Sequence, residues 1–464
     1  MRPHDLIPRG AARWGTRTAA AVLLLGACST DTLLLAPDPD LAPEMVLNAE
    51  GANAVYIGAL ARFRNITGGD ESSWLFGGLL ADEWSTSSTF IQNDETDQRQ
   101  IQTNNSSVTG MFRDLARVRT ASNQAIAGLV QYQPTRIAER AEMYFARGFA
   151  EMQLAQDFCN GIPLSVPASD AAGTGQVFGE PLTVAQVFGV AIVSYDSARA
   201  LVTGLTDSAS VRVERAARIG KARAQLGLGD AVGAVATIAS GTALPGAYAY
   251  NQTFAVTSGN NVLWAQPFSA ARYIVGDSLE GNVPPSYTVA NAIPFSRAAD
   301  PRVPTTILVT LGQDGQTRIR RTTLWGRSTT IPVVSALDAA LIRAEARVRA
   351  SDRAGALVIL DSLRAAVMTL GAITKPAMPA LVSPGTQEGM VSLFFREKAF
   401  FTFSRGQRLG DMRRMIRNYG RTAANTFPTG THYKGPAYGS DVNLPVPTDE
   451  RNNPNFTGCI DRNP

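Results

Sequence analysis

The feature that most constrains this chain is a set of paired helical segments with small residues at the expected crossings. The clearest pair is SALDAALIRAEARVRASDRAGALVILDSLRAAV, residues 335–367, with Ser351 and Asp352 at its turn. A second stretch, residues 211–239, has the same pattern, with Gly229 and Asp230 at its turn. Alternating small and large residues on antiparallel helices is the packing style of tetratricopeptide (TPR) repeats, although no strict period of about 34 residues recurs. The sequence therefore predicts a mainly α fold of TPR-like pairs.

Apolar and small residues recur at helical spacing in five regions. These regions are about residues 46–65, 110–160, 181–240, 332–370 and 388–420. The intervening stretches, about 66–109 and 241–331, are rich in Gly, Ser, Thr and Asn and are predicted to be irregular, with few short strands. Loops of this length are usually functional, and their aromatic content favours ligand binding.

The N-terminus has the pattern of an export signal. Four arginines precede the apolar run Ala19–Leu25, which is followed by Leu-Gly-Ala-Cys at residues 25–28. The run is far shorter than the about 20 residues that a membrane-spanning helix needs. We predict a signal peptide at 1–27, lipidation of Cys28, and an extended tether at 28–45. The alternative is an ordinary secretory signal with a chance cysteine.

The charge of the chain argues against a nucleic-acid partner. Removing residues 1–27 takes away four arginines and one aspartate, which lowers the net charge from +4 to about +1. A nearly neutral mature chain has little general attraction for a phosphate backbone. Export would also leave Cys159 and Cys459 as the two remaining thiols, and an even pair outside the cytosol favours a disulfide over two buried free cysteines.

Few residues are available for catalysis. The chain has two histidines, and only His432 lies outside the predicted signal, where we expect it in a loop or at the surface. The sequence lacks H-E-x-x-H, G-x-S-x-G and phosphate-loop motifs, and we predict no metal or cofactor. A glycosidase needs only two carboxylates, and two acidic clusters qualify by composition. These clusters are Asp82 with Glu83, and Asp94 with Glu95 and Asp97.

Several stretches, taken in their order along the chain, resemble one family. They are the lipobox at Cys28; LARVRTASNQAI, with Asn123; AERAEMYFARGFAEMQLAQDFCNGIPL; the Asp-Pro-Arg at residues 300–302; LIRAEARVRASDRAGALVILDSLRAA; FREKAFFTFSRGQRLGDMRR; and VNLPVPTDERNNPN. Together they are similar to the SusD/RagB-type outer-membrane lipoproteins. The resemblance covers nearly the whole mature chain and implies a single domain over 46–464.

The resemblance implies about four TPR-like pairs in a right-handed superhelix and a loop-rich ligand face. It also implies a surface-exposed lipoprotein that captures glycan and passes it to a SusC-like TonB-dependent barrel, without catalytic residues. The family's sites draw on the first long loop and the middle excursion. The expected ligand-binding residues are Trp84, Phe90, Asn93, Arg272 and Tyr273, whereas we expect Trp74 and Trp264 to be packing residues.

Other functions remain open on the sequence. Within the same family the ligand could be a peptide or another polymer. From other classes, a lipoprotein glycosidase and a TPR-type scaffold that binds only protein are alternatives.

The stretch FFREKAFFTFSRGQRLGDMRR, residues 394–414, mixes aromatic and basic side chains as a single-stranded nucleic-acid groove does. Its phenylalanines, however, follow helical spacing, which predicts a buried face on a helix that ends at Gly406. By the resemblance, Glu397, Arg408, Asp411 and Arg414 match motif positions, and we interpret them as an internal ion-pair network.

Overall fold

The computed structural model describes residues 48–167, 175–281, 287–435 and 437–464. About 49% of it is helical and its strands are short, so the mainly α prediction is confirmed. Within the described residues, no helix is long and apolar enough to cross a bilayer. The predicted signal peptide, Cys28 and the tether lie outside these residues.

The longer described helices overlap the predicted helical regions, whereas three short ones, at 77–80, 91–97 and 262–264, lie in stretches predicted to be irregular. The described helices are α1 (Ala49–Gly68), α2 (Gly77–Leu80), α3 (Ile91–Asp97), α4 (Ser106–Tyr132), α5 (Ile137–Asp157), α6 (Val184–Val202), α7 (Ser208–Gly227), α8 (Ala231–Ala239), α9 (Val262–Trp264), α10 (Ala336–Arg349), α11 (Arg353–Ala365), α12 (Gln387–Phe401) and α13 (Arg408–Tyr419). A π-helical turn, Ala265–Ala270, continues α9, and 3₁₀ turns occur at Ala423–Asn425 and Thr448–Asn452.

The strands form antiparallel pairs rather than a larger sheet in the described residues. They are β1 (Trp84–Thr86), β2 (Ile162–Pro163), β3 (Pro181–Leu182), β4 (Ala249–Gln252), β5 (Tyr273–Val275), β6 (Leu279–Glu280), β7 (Tyr287–Thr288), β8 (Thr305–Leu311), β9 (Arg318–Thr322), β10 (Ile331–Ser335), β11 (Met368–Leu370) and β12 (Ile373–Lys375). The pairs are β1 with β5, β2 with β3, β4 with β10, β6 with β7, β8 with β9, and β11 with β12.

The helical layer is centred on α5, which contacts α1, α4, α6 and α7. Tyr195 of α6 is fully buried between Gly148 of α5 and Gly220 of α7. A Cβ added at Gly220 would lie 2.5 Å from the Tyr195 ring, so glycine there lets the helix approach the aromatic side chain. Small residues at the crossings thus set the close helix packing that the sequence pattern predicts.

Both predicted interhelical turns are confirmed. Asp230 caps α8 by accepting a hydrogen bond from the Gly233 amide, directly after Gly229. Asp352 caps α11 in the same way, through the Gly355 amide, after Ser351 with a left-handed φ of 58°. A side-chain cap satisfies an amide that the first helical turn leaves without a partner, so each Asp fixes where the second helix begins.

The phenylalanine-rich stretch is buried as predicted, but its helix ends earlier than Gly406. Helix α12 stops at Phe401, and residues 402–407 turn the chain into α13. The five phenylalanines of the stretch are at most 2% exposed. Gly406 lies in the turn with a φ of 60°, and a Cβ there would be 2.4 Å from Cδ1 of Trp74. The glycine therefore serves the turn and its contact with Trp74, and the stretch offers no aromatic surface for stacking bases.

The C-terminal tail packs against the end of α5. Cys159 and Cys459 are joined, with their Sγ atoms 2.13 Å apart and their Cα atoms 5.8 Å apart. Backbone hydrogen bonds run from the Cys159 amide to the Leu444 carbonyl and from the Ile460 amide to the Asn160 carbonyl. The tail is therefore held on both sides of the sulfur pair.

Candidate functional site

The first long loop and the middle excursion meet at one antiparallel strand pair. Strand β1 pairs with β5, with Thr86 opposite Tyr273 and Trp84 opposite Val275. The loop after β1 is tied to the same segment, since the Ser87 amide donates to the Arg272 carbonyl at 2.9 Å. The five residues predicted to bind ligand are thus brought to one region, although they come from segments almost 190 positions apart.

Three of the five predicted residues are buried. Trp84 is 0% exposed, Asn93 3% and Tyr273 5%. Trp84 packs on Phe403 with ring centroids 5.1 Å apart, and its indole Nε1 donates to Ser404 Oγ at 3.1 Å. A side chain without exposed surface cannot stack on a ligand, so we correct these three from contact residues to residues that support the surface from within. Trp74, which we expected to pack, is also fully buried.

The other two predicted residues lie together at the surface. Phe90 is 51% exposed, and the guanidinium carbon of Arg272 lies 4.0 Å from its ring centroid. Arg272 also donates to Ser88 Oγ at 3.2 Å. This hydrogen bond holds the planar guanidinium over one face of the Phe90 ring. The other ring face and the outer edge of the guanidinium are available to a ligand.

Sequence reasoning missed the largest exposed aromatic stack nearby. Trp264 and Phe268 stack with centroids 5.1 Å apart and an interplanar angle of 20°, and Phe268 is 45% exposed. Arg321 lies 4.0 Å above the Phe268 ring and donates to the Phe268 carbonyl at 2.8 Å. The spacing of four residues was a usable signal, but Pro267 between them hid the helical turn. Trp264, expected to be a packing residue, is half-buried under Phe268.

The π-helical turn Ala265–Ala270 presents this stack. It follows α9 directly and ends at Ala271, which has a left-handed φ of 50°. Inserted π turns frequently occur at functional sites because they redirect side chains without unwinding the helix. We call the surface formed by Phe90, Trp264, Phe268, Arg272 and Arg321 the aromatic–arginine face.

An open cleft of about 530 Å³ adjoins this face. Its lining includes Ala265, Gln266 and Ser269 of the π turn together with residues of α1 and the loop after it. Gln266 Nε2 donates to Asp70 Oδ1 at 2.8 Å across the cleft. The volume is in the range of small-molecule sites, and the amide and carboxylate are groups that pair with ligand hydroxyls.

A larger cavity of about 720 Å³ lies between β4, β10, α10 and the β11–β12 hairpin. Its aromatic lining includes Trp325, Phe400, Phe401 and Phe403, each at most 4% exposed. These rings pack into the core rather than presenting a flat face outward. The cavity therefore lacks the exposed stacking surface of the aromatic–arginine face.

His432 lies in a loop, as expected, but it is buried and not at the surface. Its Nε2 lies 3.2 Å from Asp97 Oδ2, while its Nδ1 accepts from the Lys434 amide at 3.1 Å. The accepting Nδ1 puts the proton on Nε2, which donates to Asp97. Both ring nitrogens are engaged away from solvent, so His432 serves structure. The Lys434 ammonium completes this support, at 3.0 Å from Asp94 and 3.1 Å from Asp314.

No known family model matches the sequence, and no curated protein matches it significantly. Solved structures do match. A SusD superfamily protein from Bacteroides fragilis has a TM-score of 0.61 at 15% identity, covering 88% of this chain and 99% of that one. Surface glycan-binding protein A from Bacteroides uniformis has 0.61 at 12%, covering 88% and 99%. A SusD superfamily protein from Bacteroides vulgatus has 0.58 at 14%, covering 88% and 98%.

The chain has the SusD fold. In this SusD fold the aromatic–arginine face lies on the two loop-rich segments and not on the helix pairs. The turn between α12 and α13 holds the first of those segments in place, through Phe403 and Ser404 against Trp84.

The predicted ion-pair network of this SusD fold divides into two clusters. Asp411 and Arg414 pair at 2.7 Å. Arg414 also pairs with Glu345 at 2.9 Å, and Asp411 also pairs with Lys398 at 2.9 Å. Glu397 belongs elsewhere, with Arg302 at 2.7 Å and Arg364 at 2.9 Å. Arg408 is buried, with no carboxylate within 4.0 Å among the described residues. We therefore correct the single network to two, with Arg408 outside both.

Acidic side chains considered for glycosidase chemistry accept hydrogen bonds from backbone amides. Asp82 Oδ2 accepts from the Ile293 amide at 3.1 Å, and Glu83 Oε1 accepts from the Ser404 amide at 2.8 Å. Both side chains are at most 5% exposed, and Asp97 is 4% exposed. Within the described residues, no group of His, Cys, Asp and Glu side chains is arranged to hold a metal ion.

Burial of Glu83 predicts a pH-dependent stability. Removal from water raises the pKa of Glu83 to about 8, above its ordinary value of 4.5. Between these values the folded state holds more protons than the unfolded state, so the free energy of unfolding falls as pH rises. The loss from this carboxyl is at most about 1.4 kcal/mol per pH unit.

We expect urea denaturation between pH 5 and 8 to show this decline and Glu83→Gln to reduce its slope. Asp157 contributes in the same direction, because burial raises its pKa to about 7. Equal slopes in the wild type and Glu83→Gln would rule out a buried neutral Glu83.

Proposed function

We propose that the protein captures glycan at the aromatic–arginine face and delivers it to a SusC-like TonB-dependent transporter. In this proposal it is anchored by lipid on Cys28 at the surface of the outer membrane. The observation that carries the binding part is the exposure of two aromatic rings on the loop-rich segments: Phe268, which stacks on the half-buried Trp264, and Phe90.

The chemistry of the face fits a sugar. The C–H faces of pyranose rings stack on flat aromatic surfaces, while their rim hydroxyls need donors and acceptors at the edge. Phe268 and Phe90 supply the flat surfaces at 45% and 51% exposure. Arg272 and Arg321 supply donors above those rings, and the cleft adds the Gln266 amide beside Asp70.

We propose binding without cleavage. A glycosidase needs two carboxyl groups that reach the scissile bond. Of the acids considered for this role, Asp82, Glu83 and Asp97 accept hydrogen bonds from backbone amides. Asp94 pairs with Lys434, and Glu95 accepts a hydrogen bond from the Asn105 side chain.

Delivery to a transporter is supported by the resemblance of the sequence motifs to SusD/RagB-type lipoproteins and by the shared fold. Solved structures with this fold include one named a surface glycan-binding protein. Copurification of a large TonB-dependent barrel with the full chain from outer membranes tests this part.

Phe90→Ala with Phe268→Ala is expected to weaken glycan binding by about tenfold or more, because each lost stacking surface contributes about 0.5 to 1.5 kcal/mol. The measurement is affinity electrophoresis or calorimetry of the full chain against a polysaccharide panel. Phe178→Ala is the matched control, since Phe178 is 42% exposed and belongs to none of the contacts of the face.

Two results would contradict this function. Unchanged affinity in the double variant would show that glycan binds elsewhere. Release of reducing ends from the bound polysaccharide would make the protein an enzyme.

A further inference from the structure

Arg272 and Arg321 of the aromatic–arginine face, and Arg327 beside its Trp264, stack on aromatic rings and lack an acidic partner. The guanidinium carbons of Arg272, Arg321 and Arg327 lie 4.0, 4.0 and 5.9 Å from ring centroids. The rings are those of Phe90, Phe268 and Trp264, respectively. No carboxylate of the described residues comes within 4.0 Å of these three cations.

Many arginines elsewhere in the protein pair with a carboxylate. In the interior, Arg302, Arg320, Arg405 and Arg414 each meet a carboxylate at 2.9 Å or less. Even Arg347, whose side chain is 59% exposed, pairs with Asp352 at 3.0 Å. Arg64 and Arg349 also lie over rings, at 5.6 and 5.2 Å, without a carboxylate within 4.0 Å among the described residues. Arg272 and Arg321, however, make the shortest arginine–ring contacts of the described residues, at 4.0 Å each.

The three cations are arranged along one segment, residues 260–272. Arg327 Nε donates to Asn260 Oδ1 at 2.9 Å, Arg321 donates to the Phe268 carbonyl at 2.8 Å, and Arg272 ends the segment. Since each guanidinium is held by a neutral acceptor and a ring, its position is fixed while its full charge remains for a ligand.

Nearby carboxylates do not cancel this charge. Asp314 and Asp94 share the Lys434 ammonium, at 3.1 and 3.0 Å. Asp70 lies in the adjoining cleft, where it accepts from the Gln266 amide. Because Asp94 and Asp314 share one ammonium and Asp70 has a neutral partner, these three carboxylates offset part of the charge, and the three arginines with Lys434 exceed them by one positive charge.

We infer that the ligand of this face is an acidic polysaccharide. Its carboxylate or sulfate groups pair with Arg272, Arg321 and Arg327, while its sugar rings stack on the exposed aromatic surfaces. Guanidinium groups bind these planar or multidentate oxyanions through paired N–H donors, and such charge-assisted bonds are about twice as strong as neutral ones. This inference rests on the proposed glycan-binding function and adds the ligand class to it.

The test uses polymers that differ in charge but not in backbone. Calorimetry of the full chain would compare polygalacturonate with fully methyl-esterified polygalacturonan, and dextran sulfate with dextran. We expect an acidic member to bind at least about tenfold tighter than its neutral partner, by an amount that shrinks as salt is added. The pair that shows the difference identifies carboxylate or sulfate as the recognised group.

Substitutions test what the arginines contribute to binding. Arg272→Gln with Arg321→Gln is expected to lower affinity for the acidic polymer by about tenfold more than it lowers affinity for the neutral polymer, because only the acidic polymer loses a charge-assisted contact. Arg347→Gln removes a surface cation outside the face and is expected to change neither.

The possible results distinguish the acidic ligand class from the proposed glycan-binding function. Equal binding of charged and neutral polymers would overturn the acidic ligand class and leave glycan capture standing. Binding of no polysaccharide would overturn both. Equal affinity for an oligothymidylate would indicate a general polyanion surface and overturn the polysaccharide assignment.

Discussion

Arg302→Leu is expected to lower the free energy of unfolding by about 3 to 5 kcal/mol, among the largest single-residue effects in this protein. Arg302 is 0% exposed, and its guanidinium pairs with Asp300 at 2.6 Å and with Glu397 at 2.7 Å. It also lies 4.5 Å from the Phe401 ring centroid. The residue therefore ties the loop before β8 to helix α12 through charge and packing together.

The cost arises from what the substitution leaves behind. Asp300 would lose its cation while 9% exposed, and Glu397, which is 0% exposed, would keep only Arg364 at 2.9 Å and a distant contact with Arg396. An ionised carboxylate out of water without a partner is costly, and this penalty exceeds the value of the original pair.

Urea denaturation followed by circular dichroism measures the effect, and Arg347→Leu is the control. Arg347 and Asp352 are 3.0 Å apart, but their side chains are 59% and 36% exposed, so we expect less than about 1 kcal/mol there. Similar losses in both variants would show that burial does not decide the energetics. Glycan affinity of folded Arg302→Leu should be unchanged, because its contacts lie away from the aromatic–arginine face.

Local signals in the sequence predicted the helical part of the fold. Asp230 and Asp352 each cap a helix three residues from the amide they accept, and such short-range chemistry is legible in the sequence. The burial of Phe394 and its neighbours follows equally from spacing on one helix. The division of the ion pairs does not, because Glu397 finds Arg302 across 95 positions.

The loop-rich part resisted prediction for a physical reason. Whether Trp84 is buried depends on β1 pairing with β5 and on Ser404, which lies 320 positions away. Composition indicated that these loops are rich in aromatic residues, but only the tertiary contacts decide which of them are exposed. Phe90 is exposed, whereas Trp84 is buried. The Trp264–Phe268 stack depends on a π turn, which has no simple sequence signature.

Replacing both Cys159 and Cys459 with alanine is expected to lower the free energy of unfolding by about 4 to 5 kcal/mol. The bond links residues 300 positions apart, so it restricts most of the unfolded chain. In the chain-entropy account the loss falls on the unfolded state, which becomes free to expand.

Because the effect is on the unfolded state, a second measured quantity should also change. An unfolded chain without the link exposes more surface, so the urea m-value of the double variant should exceed that of the oxidised protein. A reducing agent applied to the wild type should reproduce both changes. The folded tail should persist in the variant, because Asn160 still bonds Asp461 at 2.9 Å and Asn443 bonds Arg462 at 2.7 Å. A lower stability with an unchanged m-value would instead place the effect in the folded state, at the buried contact between Cys159 and the Val446 amide.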